Sequence, residues 1–106
     1  MRTYKLINKV PVRCDVDDYM QDNDRVIAKD VFGESTISTV FLTWDHSFSS
    51  GDKPILFETM VFGGEYNDYQ ERYETYEDAV EGHKKICYMV NKVAIDREQK
   101  LDDLGI

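Results

Sequence analysis

The amino-acid sequence predicts an α+β domain: a small, mainly antiparallel sheet of about four to five strands with one C-terminal helix packed on one face. Three observations carry this expectation. Thr36 to His46 is rich in Thr, Val, Ile and Phe, residues that suit a pleated, half-buried surface. Ile55 to Phe62 has the same character, follows Pro54 and stops at Gly63-Gly64. Beyond Thr75 the period changes, and Tyr76, Ala79, Val80, His83, Ile86, Cys87, Val90, Val93 and Ala94 recur every three or four residues, the spacing of one helical face.

Taken in order, Tyr4 to Arg13 reads as a hairpin turning at Asn8-Lys9, because Asn tolerates the positive φ that such a turn demands. Pro11 places the second arm at an edge, since it has no amide hydrogen for a second neighbour. Asp15 is placed to cap a short helix over Val16–Gln21, closed by the polar turn Asp22-Asn23-Asp24. Arg25 to Val31 is the next strand, and Phe32 to Ser35 turns the chain. The strand over Thr36–His46 then divides into Ile37, Thr39, Phe41, Thr43, Asp45 on one face and Ser38, Val40, Leu42, Trp44, His46 on the other. Ser47 to Lys53 is an exposed loop. The following strand sets Ile55, Phe57, Thr59, Val61 against Leu56, Glu58, Met60, Phe62, and its nearness in sequence argues for an antiparallel pairing. Glu65 to Glu74 reads as a polar connector. Thr75-x-x-Asp78 resembles a capping box at the helix start, and the charged stretch 96–106 is expected to fray.

The chain has 106 residues, enough for a single domain spanning 1–106 with one modest core. Its formal net charge of −8 disfavours direct nucleic-acid binding, which needs an excess of Lys and Arg. The acids cluster at Asp15–Asp24, Glu65–Glu81 and Asp96–Asp103. Two readings of them stay open: general solubility, or an acidic face complementary to a basic surface on a partner. No apolar run reaches the roughly 18 residues of a membrane span, and the N-terminus lacks the pattern of a signal peptide. The expectation is a soluble cytoplasmic protein with no membrane contact. Cys14 and Cys87 form no metal motif by spacing, and Cys87 reads as a small core residue.

Three ionisable side chains, His46, Glu58 and His83, fall on faces that are otherwise apolar. Burying such groups is costly unless they are paired or bound. Glu58 and His83 are therefore expected to be mostly buried, with His46 near the open end of the hairpin. Together they have the composition of a two-His-one-carboxylate metal set, or of a small-ligand or hydrolytic site. The competing reading is internal hydrogen bonding, with His46 and Glu58 paired and His83 anchoring the helix. No His-x-x-x-His or Glu-x-x-His spacing is present, so no cofactor is expected, a divalent metal being the alternative. Asp45 and His46 are adjacent in a strand and face opposite ways, which argues against an acid–base pair. Arg72 and Tyr73, beside the helix N-terminus, are further ligand-binding candidates. Tyr66, Tyr69 and Tyr76, interleaved with acids, are candidates for a partner-binding surface, because Tyr is enriched at interface hot spots. No nucleophile elbow or phosphate loop occurs, which points away from enzyme function.

The ordered set Ser38-Thr-Val-Phe-Leu42, Asp45-His46, Phe57-Glu-Thr-Met-Val-Phe-Gly-Gly64, Arg72-Tyr73-x-Thr75 and Ala79-x-x-Gly82-His83 resembles a group of small proteins encoded by bacteriophages and prophages. The likeness spans Arg25 to Val90. Where that group usually has Gly after Leu42, this chain has Thr43. The resemblance implies a phage accessory context in the host cytoplasm and no particular chemistry. With the acidic charge and the tyrosines, it suggests an inhibitor that binds a host protein or a protein–nucleic acid complex, such as a defence assembly.

Overall fold

A computed structural model describes residues 2–15, 25–45 and 53–103. The expected short helix Val16–Gln21, His46 and all of the Ser47–Lys53 loop except the exposed Lys53 lie outside the described residues. Among the described residues the fold is α+β, as expected. It comprises a two-stranded hairpin, β1 (Tyr4–Ile7) and β2 (Val10–Arg13), and a four-stranded antiparallel sheet followed by one long helix. The sheet runs β3 (Val26–Phe32), β4 (Ser35–Phe41), β5 (Phe57–Phe62) and β6 (Gln70–Tyr73), side by side in chain order. Helix α1 (Tyr76–Asp103) packs on one face of it and continues into the segment expected to fray. It is not apolar enough to cross a membrane.

Local chemistry accounts for these elements. The first hairpin turns at Asn8 and Lys9, both in the left-handed region (φ 52° and 69°), as a two-residue turn requires. Pro11 sits in β2, which pairs with β1 alone within its sheet. At the far end of β5, Gly63 and Gly64 take φ of 85° and 77°, and side chains there would strike the Glu34 carbonyl and the Ser35 hydroxyl. At the helix start the Thr75 hydroxyl accepts the Asp78 amide at 3.0 Å, satisfying one orphan donor.

Two details differ from the sequence expectation. The strand β4 ends at Phe41 rather than His46. Leu42 still donates to Leu56, but Thr43 O accepts from Tyr4 N at 2.8 Å and Trp44 bridges Thr3, so the chain changes partner from β5 to the hairpin. The connector Glu65–Glu74 contains the edge strand β6, paired with β5 through Phe57–Tyr73 to Met60–Gln70.

Alternation decides what the helix covers. Ser35, Ile37, Thr39 and Phe41 are buried in β4, as are Phe57, Thr59 and Val61 in β5. The buried apolar side chains form two groups. Tyr4, Phe41, Leu56, Phe57 and Ala79 make one, joined by Leu6, Ile27, Tyr73 and Tyr76. Ile37, Val61, Ile86 and Val90 make the other, with Phe32, Tyr66, Cys87 and Met89 against it. Each fully buried large side chain contributes about 1.5–3 kcal/mol. Phe41 and Phe57 add a tilted ring contact at 5.5 Å. Between the two groups lies a row of polar side chains.

Candidate functional site

The row begins with Thr39 and Thr59, which are register partners on β4 and β5 and are both fully buried. Their hydroxyls lie 2.5 Å apart. Above them, the helical stripe delivers His83, only 4% exposed, and its Nδ1 is 2.7 Å from Thr39 Oγ1. The other ring nitrogen, Nε2, is 2.7 Å from Asp30 Oδ2 on β3. Asp30 reaches the helix side because it pairs with Ile37, whose side chain is in the core. At the far end, the Tyr73 hydroxyl lies 3.2 Å from Thr59 Oγ1 and 3.2 Å from Glu71 Oε2. A continuous chain thus runs Glu71, Tyr73, Thr59, Thr39, His83, Asp30, crossing the sheet from edge to edge.

The direction of these hydrogen bonds follows from the two ends of the row. With the imidazole hydrogen on Nε2, His83 donates to the Asp30 carboxylate and Nδ1 must accept from the Thr39 hydroxyl. Thr39 then accepts from Thr59, and Thr59 from Tyr73. With the hydrogen on Nδ1, every hydroxyl turns round and Tyr73 donates to Glu71 instead. Nε2 then turns a lone pair on the Asp30 carboxylate, however, so the first direction is the one that suits the 2.7 Å His83–Asp30 contact. Both directions leave the threonine hydroxyls satisfied, which is what makes burial of three polar residues tolerable.

Asp30 is the solvent end of the row, its side chain 52% exposed. The hydrogen bond from His83 holds its carboxyl below the usual carboxylate range. Cys87 is one helical turn beyond His83, and its thiol donates toward the same oxygen, Asp30 Oδ2, at 3.7 Å. Burial, and then the Asp30 charge, pushes that thiol up to about 11. Burial likewise pushes the Tyr73 phenol up to about 12.

The residues singled out by sequence are distributed differently from expectation. Glu58 and His83 lie on opposite faces of the sheet, so they do not form one site. Glu58 alternates with the buried Phe57 and Thr59 and points away from the helix. There its Oε2 accepts from Arg72 Nε at 2.9 Å and from Gln70 Nε2 at 2.8 Å, leaving its side chain 15% exposed. Arg72 is thereby engaged with Glu58, on register. His46 lies outside the described residues, so the expected three-residue set reduces to His83 with different neighbours. Asp45 serves the backbone instead, where its Oδ1 accepts the Ile55 amide at 3.0 Å and fixes the chain's return into the sheet. Tyr76 packs edge-on against Phe57 and under Lys9, whose ammonium is 5.5 Å from the ring centroid. It belongs largely to the core, whereas Tyr66 and Tyr69 form an edge-to-face pair with Tyr69 exposed. Tyr73 is half-buried, its ring against the α carbon of Gly82.

Sequence reasoning missed Asp30. It sits in a strand beside Lys29, with no motif around it, and its partner is 53 residues away. The available signal was the buried histidine itself: a strand acid in register with a core position is the kind of partner such a group needs.

A second feature lies at the β6 edge. Glu65, Asp68, Glu71, Glu74, Glu77, Asp78 and Glu81 are all exposed, and Arg72 is the one cation between residues 65 and 81. Glu71, Glu74, Asp78 and Glu81, with Arg72 and Lys85 among them, line a shallow groove between β6 and the first turns of α1. Compared with protein-family models, curated proteins and solved structures, the chain matches none.

Proposed function

We propose that this chain is a non-enzymatic accessory protein that binds a host macromolecule through the acidic edge formed by β6 and the start of α1. The observation that carries the reading is the charge of that edge: seven exposed carboxylates against Arg72, which is already paired with Glu58, and the flanking Lys84 and Lys85, of which Lys84 pairs with Glu81 at 3.6 Å. An acidic row of this kind costs self-repulsion in the free protein, and a basic surface on a partner relieves it while steering association. The exposed Tyr69, set edge-to-face against Tyr66 and donating to Glu71 Oε1 at 3.1 Å, supplies a rigid aromatic anchor at the same edge. The partner class that fits is a host protein or protein–nucleic acid complex with a basic groove. The phage-like motif set of the chain suits a role in countering host defence within the host cytoplasm.

The test is affinity capture from host lysate with the wild-type chain and with the Glu74→Gln, Glu77→Gln, Glu81→Gln variant. A basic-surfaced partner should be retained by the wild type at low salt, released as the Debye length shrinks, and lost to the variant. Finding no partner, or one held equally by both baits, would refute the proposal.

A further inference from the structure

We propose that Asp30, His83 and Cys87 form a binding site for a zinc-class divalent cation that staples β3 to α1. Their ligand atoms, Oδ2, Nε2 and Sγ, lie within 4.8 Å of one another. Carboxylate, imidazole and thiolate together are a donor set for zinc or cobalt(II). In a tetrahedral site the ligand atoms stand about 3.4 Å apart, so the Nε2–Oδ2 distance of 2.7 Å must open by about 0.7 Å. Asp30 is the half-exposed member and sits on an edge strand, so it is the group free to move, and its solvent side is where a water would complete the coordination.

The buried row behind the histidine is the second observation. A metal on Nε2 requires the imidazole hydrogen on Nδ1, and an acceptor for it. Thr39 Oγ1 is that acceptor at 2.7 Å, and the reversal of the hydroxyl chain ends on Glu71 Oε2, which takes the Tyr73 hydrogen. Ligating histidines almost always have such a partner on the other nitrogen, which fixes the ring and raises its basicity. Binding is balanced by loss of the Cys87 thiol proton to solvent, while the imidazole hydrogen moves from Nε2 to Nδ1 and Asp30 binds as the carboxylate it already is. The ion would replace the two hydrogen bonds from His83 and Cys87 to Asp30 with three coordinate bonds. This site is remote in role from the acidic edge, and its failure would leave the partner-binding proposal standing.

The test is cobalt(II) titration of the full chain, read by the thiolate-to-cobalt charge-transfer band in the near ultraviolet. The band should saturate at one equivalent in the wild type and in Cys14→Ser, and vanish in Cys87→Ser. Asp30→Asn should bind at least about tenfold more weakly, since it loses one anionic ligand. Circular dichroism confirms that the Cys87 and Asp30 variants, altered at incompletely buried positions, remain folded. Absence of the band in the wild type, its survival in Cys87→Ser, or equal affinity in Asp30→Asn would overturn the assignment.

Discussion

Replacing Thr39 by Val removes one oxygen and leaves the side-chain shape nearly unchanged, so its effect isolates the polar row. Thr39 Oγ1 is within hydrogen-bond distance of both His83 Nδ1 and Thr59 Oγ1. In the variant, Thr59 keeps the Tyr73 hydroxyl at 3.2 Å, but Nδ1 of a histidine 4% exposed has no replacement. Stranding one buried polar atom costs about 1–3 kcal/mol. For a domain of this size that lowers the melting temperature by about 5–20 °C. The triple variant Thr39→Val, Thr59→Val, His83→Leu removes the buried polar atoms together. Asp30 then faces water, and Tyr73 retains Glu71 Oε2. Its stability should return to within about 1 kcal/mol of wild type, or exceed it. Urea unfolding followed by far-ultraviolet circular dichroism, with equal m-values required for comparison, measures both numbers. A neutral single variant, or a triple variant no more stable than the single, would show that the hydroxyl–imidazole chain is not formed in solution.

Gly82 offers a second check, because a side chain there would collide with two ring carbons and the phenolic oxygen of Tyr73. Gly82→Ala should destabilise the protein despite the gain of about 1 kcal/mol in helix propensity, and should turn stabilising in a Tyr73→Ala background. A double-mutant cycle in urea reads that sign change, and a stabilising single variant would contradict the packing. Tyr73 also predicts alkaline behaviour. Its folded value of about 12 is above the unfolded one, so its contribution is complete below about pH 10 and is lost as pH rises through the folded value. Thermal melts from pH 9 to 12, on the order of one per half unit, should fall less steeply for Tyr73→Phe than for wild type. Parallel curves would count against the burial of this phenol.

Much of the fold was legible because its signals are local. Asn8-Lys9, Gly63-Gly64 and Thr75 each specify a turn or cap by their own conformational chemistry, and each does so in the structure. The strand β6 was not legible, since Gln70, Glu71 and Arg72 are exposed and carry no alternation; backbone pairing to β5 makes it a strand. The two faces of β5 were also hard to rank. Leu56, Met60 and Phe62 look as apolar as Phe57 and Val61, so alternation alone left the inner face undecided. His83 decides it, because a buried imidazole needs the hydroxyls beneath it. Glu58 was grouped with His83 although it lies on the other face, and Asp30 escaped notice because its role depends on register with Ile37.

The polar row also has a consequence for uniqueness. A long helix resting on a wholly apolar sheet face can slide by one turn, about 5.4 Å, with modest loss, since one aliphatic contact replaces another. Here a slide would carry His83 off Thr39 and Asp30 and set it over Ile37 or Phe41, while both threonine hydroxyls met hydrocarbon. The row therefore acts as a detent, giving α1 one seating on the sheet. On this view the apolar triple variant would regain its free energy but not its single arrangement, and its methyl resonances would broaden where those of the wild type are sharp.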